Sequence, residues 1–76
     1  MRDEILDILT DIRPDLDFEQ EQHLIDDRLL ASFDIISLVA ELSDAFDVEI
    51  GPKYLTAENF NSLDAITALV ASLKEA

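Results

Sequence analysis

Ile35, Leu38, Val39, Leu42 and Phe46 recur at i, i+3, i+4, i+7 and i+11. At 3.6 residues per turn that spacing makes one apolar face of a helix and no face of a strand. The same period returns near both ends of the chain, in Ile5, Ile8, Leu9 and Ile12 and in Leu63, Ile66, Leu69, Val70 and Leu73. No segment alternates apolar and polar residues between turn signals as a half-buried strand would. Pro14 stops the first helix, where Arg13 meets the negative end of the helix dipole, and Asp3 and Glu4 suit its positive end. The second helix is predicted over 32–46, ahead of the Gly51-Pro52 break. Residues 14–31 carry no period and are expected to be a long loop tacked to the core by Leu16, Phe18, Leu24 and Ile25. Tyr54, Leu55 and Phe60 flank one short helical turn at Thr56-Ala57-Glu58-Asn59, and Asn61 or Ser62 caps the last helix. The expected architecture is all-α: a small four-helix bundle of three longer helices plus one short helix, a single domain over residues 1–76.

A chain of 76 residues lies near the lower limit for a self-sufficient core, yet 49% of it is hydrophobic, too much for a disordered tail. The absence of cysteine excludes disulfides, thiolate zinc sites and iron–sulfur clusters together. Met1-Arg2-Asp3-Glu4 turns acidic at once, unlike a signal peptide, and no stretch approaches the roughly 20 apolar residues of a membrane span. A cytoplasmic, monomeric protein is expected. Five basic residues face 18 acidic ones for a formal charge of −13, which disfavours nucleic acid and anionic membranes and favours partners with basic docking surfaces. No metal site is expected. Asp15-Leu16-Asp17-Phe18-Glu19 has a calcium-loop look, but Gln20 stands where the tight turn needs glycine and Asp26 replaces the closing glutamate. His23 has no second nitrogen or sulfur ligand nearby in sequence and reads as a loop residue.

The second helix carries a second apolar stripe. Phe33, Ile36 and Ala40 fall nearly opposite the core face, with Asp34, Ser37, Glu41 and Asp44 between and beside them. A helix in so small a bundle is rarely buried on both sides, so the stripe is either a docking surface or the ground that the 14–31 loop covers. No Lys or Arg occurs between Arg28 and Lys53, which makes the face purely acidic and favours docking.

Ser32 stands at the entrance of this helix and admits three readings. It can cap the helix, although Ile35 stands where Glu or Gln would complete a capping box. It can be a nucleophile, but Ala31 and Phe33 flank it instead of glycines, and His23 is the sole imidazole, so an enzyme is not expected. It can be an attachment point, which needs only exposure beside a readable surface.

The run Leu29-Leu30-Ala31-Ser32-Phe33-Asp34-Ile35-Ile36-Ser37-Leu38-Val39, with Glu41-Leu42 and Phe46-Asp47-Val48-Glu49-Ile50 after it, resembles the acyl carrier proteins. The Leu-Leu-x-Ser-Phe wording is nearer to the stand-alone D-alanyl carriers than to the fatty-acid carriers. The resemblance spans essentially the whole chain and implies a carrier that is not an enzyme. In the family, the serine opening the second helix bears a 4′-phosphopantetheine arm whose thiol holds an acyl or aminoacyl group as a thioester, and Ser32 falls on it. Phe33, Ile36 and Ala40 fall on apolar partner-contact positions; Asp34, Glu41 and Asp44 fall on or beside acidic recognition positions. The implied partners are a phosphopantetheinyl transferase, an adenylating enzyme that loads the cargo, and downstream acyltransferases. The family's aspartate before the serine, which helps the transferase and its metal ion engage the carrier, is replaced here by Ala31. That departure implies inefficient attachment of the arm, or none. The rival reading is an unmodified acidic module that binds a basic groove through the same face.

Overall fold

A computed structural model describes residues 1–75. Helices α1 (Arg2–Ile12), α2 (Ser32–Phe46), α3 (Ala57–Phe60) and α4 (Leu63–Glu75) follow in chain order, with a 3-10 turn at Pro52–Tyr54 before α3. No strand occurs among the described residues, so the architecture is the all-α bundle that the spacing predicts, three longer helices plus one short helix. α1 packs on α2 and α4, and α4 also packs on α3 and α2.

The core is built from one stripe of each helix. Ile5 and Leu9 of α1, Leu38 and Leu42 of α2, and Ile66 and Val70 of α4 are fully buried, and Phe46, Ile50, Phe60 and Leu63 belong to the same buried cluster. Ile8, Ile12, Ile35, Val39 and Leu73, read as core positions from the period, are half-buried against this centre. They lie at the edges of their stripes, where the outermost positions of an apolar arc graze solvent.

Residues 13–31 form turns, and their apolar members do pin them down. Phe18, Leu24 and Leu30 are buried, while Leu16 and Ile25 pack against the core. Asn61 is the polar counterpart of that pinning. Its backbone carbonyl accepts from Leu24 N–H at 2.8 Å, its side-chain Oδ1 accepts from the Ile25 and Asp26 N–H groups at 3.0 and 3.1 Å, and its Nδ2 donates to Asp26 at 3.1 Å. Of the two residues read as caps of the last helix, Ser62 is the cap: its hydroxyl accepts from Ala65 N–H at 3.0 Å. Asn61 is spent on holding the loop.

No helix among the described residues is long and apolar enough to cross a membrane. Among the described residues, two other than glycine take the left-handed conformation: Asp47, which ends α2, and Arg28, in the last turn of the loop before Ser32. A side chain bearing Cβ gives up about 1 kcal/mol there relative to glycine.

Candidate functional site

α2 begins where the chain leaves extended backbone at Ala31, with φ −82° and ψ 168°, so Ala31 is the N-cap and Ser32 is the first helical residue. The reading of Ser32 as the cap is therefore displaced by one position. Ala31 offers a methyl where a cap offers an oxygen, and it accepts nothing from the first turn. Half of a capping box survives. Three residues on, the Asp34 carboxylate turns back and accepts the Ala31 N–H at 3.0 Å. Ile35, one residue past that position, could not have done this. Ser32 itself is exposed.

Asp34 is held from a second direction. Arg13, the C-cap of α1, donates from Nη1 to Asp34 Oδ2 at 3.0 Å and to the Leu29 carbonyl at 2.8 Å. Its Nε and Nη2 form a fork on the Asp15 carboxylate at 3.1 and 3.0 Å. These contacts, Asp15 first and Asp34 second, raise the guanidinium above its ordinary value. The same fork, helped by a backbone hydrogen bond, holds the Asp15 carboxyl below the usual range. The Asp34 side chain is 15% exposed. Among the acidic positions assigned to partner recognition, Asp34 is thus turned inward, tying the helix start to α1, while Glu41 and Asp44 are exposed.

The apolar stripe is open. Phe33 is 77% and Ile36 67% exposed, and Ala40 is exposed behind them. The 13–31 loop does not cover this face, because its own apolar residues point into the core. The result is a strip of Phe33, Ile36 and Ala40, rimmed by Glu41 and Asp44, running away from the exposed serine. Beside α2, Ile25, Ile35, Leu55, Thr56 and Phe60 line a shallow apolar pocket of about 40 Å³.

Among the described residues, no group of three or more imidazole and carboxylate side chains is gathered closely enough to hold a metal ion. In the segment with the calcium-loop look, Phe18 is buried and Asp17 accepts from Glu19 N–H at 3.3 Å in a local turn. His23 is an exposed loop residue, its Nδ1 3.6 Å from Asp26. The sequence offers Arg13 to the α1 dipole and Asn61 to helix capping; their contacts with Asp34 and with the loop, and the pocket, carry no such signal. Arg13 itself does stand out: it is the sole cation between Arg2 and Arg28 in a strongly acidic stretch, beside a proline that forces the chain to turn.

No family-level sequence model matches the chain. Individual relatives do. It is 31% identical to the D-alanyl carrier protein of Lactococcus lactis subsp. lactis (strain IL1403) over an alignment of 81 positions that spans 99% of this chain and 98% of the relative. The D-alanyl carrier proteins of Lactococcus lactis subsp. cremoris strains MG1363 and SK11 are each 33% identical over 76 positions, spanning 92% of this chain and 91% of theirs. With near-complete coverage in both directions, and an all-helical bundle with a serine exposed at the head of α2, the chain belongs to the D-alanyl carrier protein family.

Proposed function

We propose that this protein carries an aminoacyl group, D-alanyl by analogy with its relatives, on a 4′-phosphopantetheine arm attached to Ser32, and presents it to partner enzymes in the cytoplasm. The role is transport rather than catalysis. The observation that carries the reading is Ser32: an exposed hydroxyl at the first residue of α2, beside the uncovered Phe33–Ile36 stripe. Attached there, the arm supplies a thiol for a thioester and a flexible tether that raises the local concentration of cargo at each enzyme.

The chain's own residues have two tasks. Ser32 Oγ is the acceptor: it attacks the pantetheine-bearing phosphorus of coenzyme A. The Oγ–P bond forms, the P–O bond to adenosine 3′,5′-bisphosphate breaks, and the hydroxyl proton passes to a base on the transferase. Phe33, Ile36 and Ala40 supply apolar contact, and Glu41 and Asp44 orient basic partner surfaces. Asp34, being inward, is left to shape the helix start.

Incubation with a broad-specificity phosphopantetheinyl transferase and coenzyme A, read by intact mass, tests this. The expected result is a single adduct that is absent from Ser32→Ala and forms faster on Ala31→Asp. Glu41→Lys is expected to slow association with the transferase and to flatten its salt dependence; an unchanged association rate would remove α2 as the docking face. Ala31 specifically favours one other reading, the unmodified acidic interaction module. If Ala31→Asp also takes no adduct from an active transferase, that module replaces the carrier.

A further inference from the structure

We propose that Arg13 is a positioning residue for Ser32, fixing the serine for attack in place of the cap that Ala31 cannot supply; the inference rests on Ser32 being the attachment point. One nitrogen, Arg13 Nη1, bridges the Leu29 carbonyl at 2.8 Å and Asp34 Oδ2 at 3.0 Å, three residues before the serine and two after it. That Asp34 oxygen also accepts the N–H of Ala31, the residue immediately before the serine, at 3.0 Å. Positions 29, 31 and 34 are thereby tied to a single guanidinium, while the serine between them is exposed.

The anchor of the clamp is independent of α2. Arg13 is itself held by the fork on Asp15, just past the Pro14 break, and it stands at the end of α1, whose Ile5 and Leu9 are in the core. Its side chain is 31% exposed and that of Asp34 15%, so water screens the pair less than it does the open pair of Arg2 and Asp64 at 43% and 72%. A lysine at 13 could keep the charge but not reach Asp15, Leu29 and Asp34 at once, because only the planar guanidinium carries donors on several edges. An ordinary cap would secure the first turn from within the helix. Here the turn is secured from α1, and the placement of the acceptor oxygen depends on a tertiary contact.

The test measures arm transfer from coenzyme A at a temperature where every variant is folded by circular dichroism, with kcat and KM resolved. It compares wild type, Arg13→Gln, Arg13→Lys, Asp34→Asn and, as a remote arginine control, Arg2→Gln. Misplacing a nucleophile by a fraction of an ångström lowers kcat, so Arg13→Gln and Asp34→Asn are expected to lose about tenfold or more in kcat with KM little changed. Arg13→Lys should fall between them and wild type, and Arg2→Gln should match wild type. In ¹⁵N relaxation, Arg13→Gln should loosen residues 29–34 and leave α4 unchanged. Should Arg13→Gln unfold, Asp34→Asn and Arg13→Lys carry the comparison. Wild-type kcat in a folded Arg13 or Asp34 variant would overturn the inference, as would an equal loss in Arg2→Gln, while leaving the carrier reading intact. If only Ala31→Asp accepts the arm, the cap and not the Arg13 contact is what readies the serine, and the inference falls while the carrier reading stands. If neither accepts it, the carrier reading and this inference fall together.

Discussion

At Ala31 a methyl group occupies the position where a side-chain oxygen would take the Asp34 N–H, and the first turn of α2 has only the reciprocal half of its capping box. Aspartate there would complete the box and add a negative charge at the positive end of the helix dipole. Ala31→Asp is therefore expected to stabilise the fold by about 1 kcal/mol, a rise of about 4–8 °C in Tm for a domain of this size, measured in moderate salt so that repulsion from Asp34 is screened. An unchanged or lowered Tm would mean that the Arg13 clamp already takes up that gain. Asp15 adds a pH dependence. Arg13 lowers its carboxyl below the ordinary range, so the pairing contributes fully above the unfolded-state value near 3.9 and is lost as pH falls through the lower folded-state value. Urea midpoints recorded on descending through that acidic window should fall more steeply for wild type than for Asp15→Asn; parallel curves would show that the fork adds nothing. At this scale the sequence was half legible. Ser32 stood out because a hydroxyl at a helix start has few uses, capping being one of the three it admits; Ala31 was passed over as the cap because alanine has no capping propensity. Arg13 was assigned to the helix dipole, since nothing in a separation of 16 or 21 residues announces contact with Leu29 or Asp34.

α2 carries a buried stripe and an exposed apolar stripe on opposite faces of one helix. Leu38 is fully buried and Phe33 is 77% exposed. Leu38→Ala leaves a cavity in a small core and is expected to cost about 2–5 kcal/mol, enough to leave a marginal domain largely unfolded. Phe33→Ala removes more atoms, yet should move stability by no more than about 0.5 kcal/mol while weakening partner binding. Chemical denaturation beside a binding titration checks both; a large loss of stability in Phe33→Ala would mean that this face is covered in solution. The helices were legible because their apolar residues keep the helical period against a single core, and the bounds 32–46 follow from that stripe and from the Gly51-Pro52 break. The 13–31 loop was legible only in its apolar anchors. Its polar anchor, Asn61, bonds across 35 and 36 residues to Asp26 and Ile25, and a period cannot report a partner so distant in sequence.

Across the molecule, four of the five cations are turned to internal work. Arg2 pairs with Asp64 and approaches Glu19, Arg13 clamps the start of α2, Lys53 lies over the Tyr54 ring at 5.1 Å, and Lys74 donates to the Phe46 carbonyl at the end of α2 at 3.1 Å. With its cations used this way, the charge that the surface presents is almost entirely carboxylate, and the protein bears the self-repulsion of a formal charge of −13. α1 concentrates that repulsion, because Asp3, Asp7 and Asp11 follow one another at i, i+4 on an exposed edge. Asp3 at least meets the positive end of the helix dipole. Asp11 lies in the last turn, at the negative end, in a helix with no basic residue there. Asp11→Lys replaces two repulsions by two attractions, one with Asp7 and one with the dipole, and should stabilise by about 0.5–1.5 kcal/mol at low salt. Added sodium chloride should raise the wild-type Tm by screening the same repulsion, and should raise that of Asp11→Lys by less. A neutral osmolyte at equal osmolality should raise both Tm values alike, since it acts by exclusion from the surface and does not screen charge. Equal salt responses in the two proteins would mean that α1 is not where the charge strains the fold.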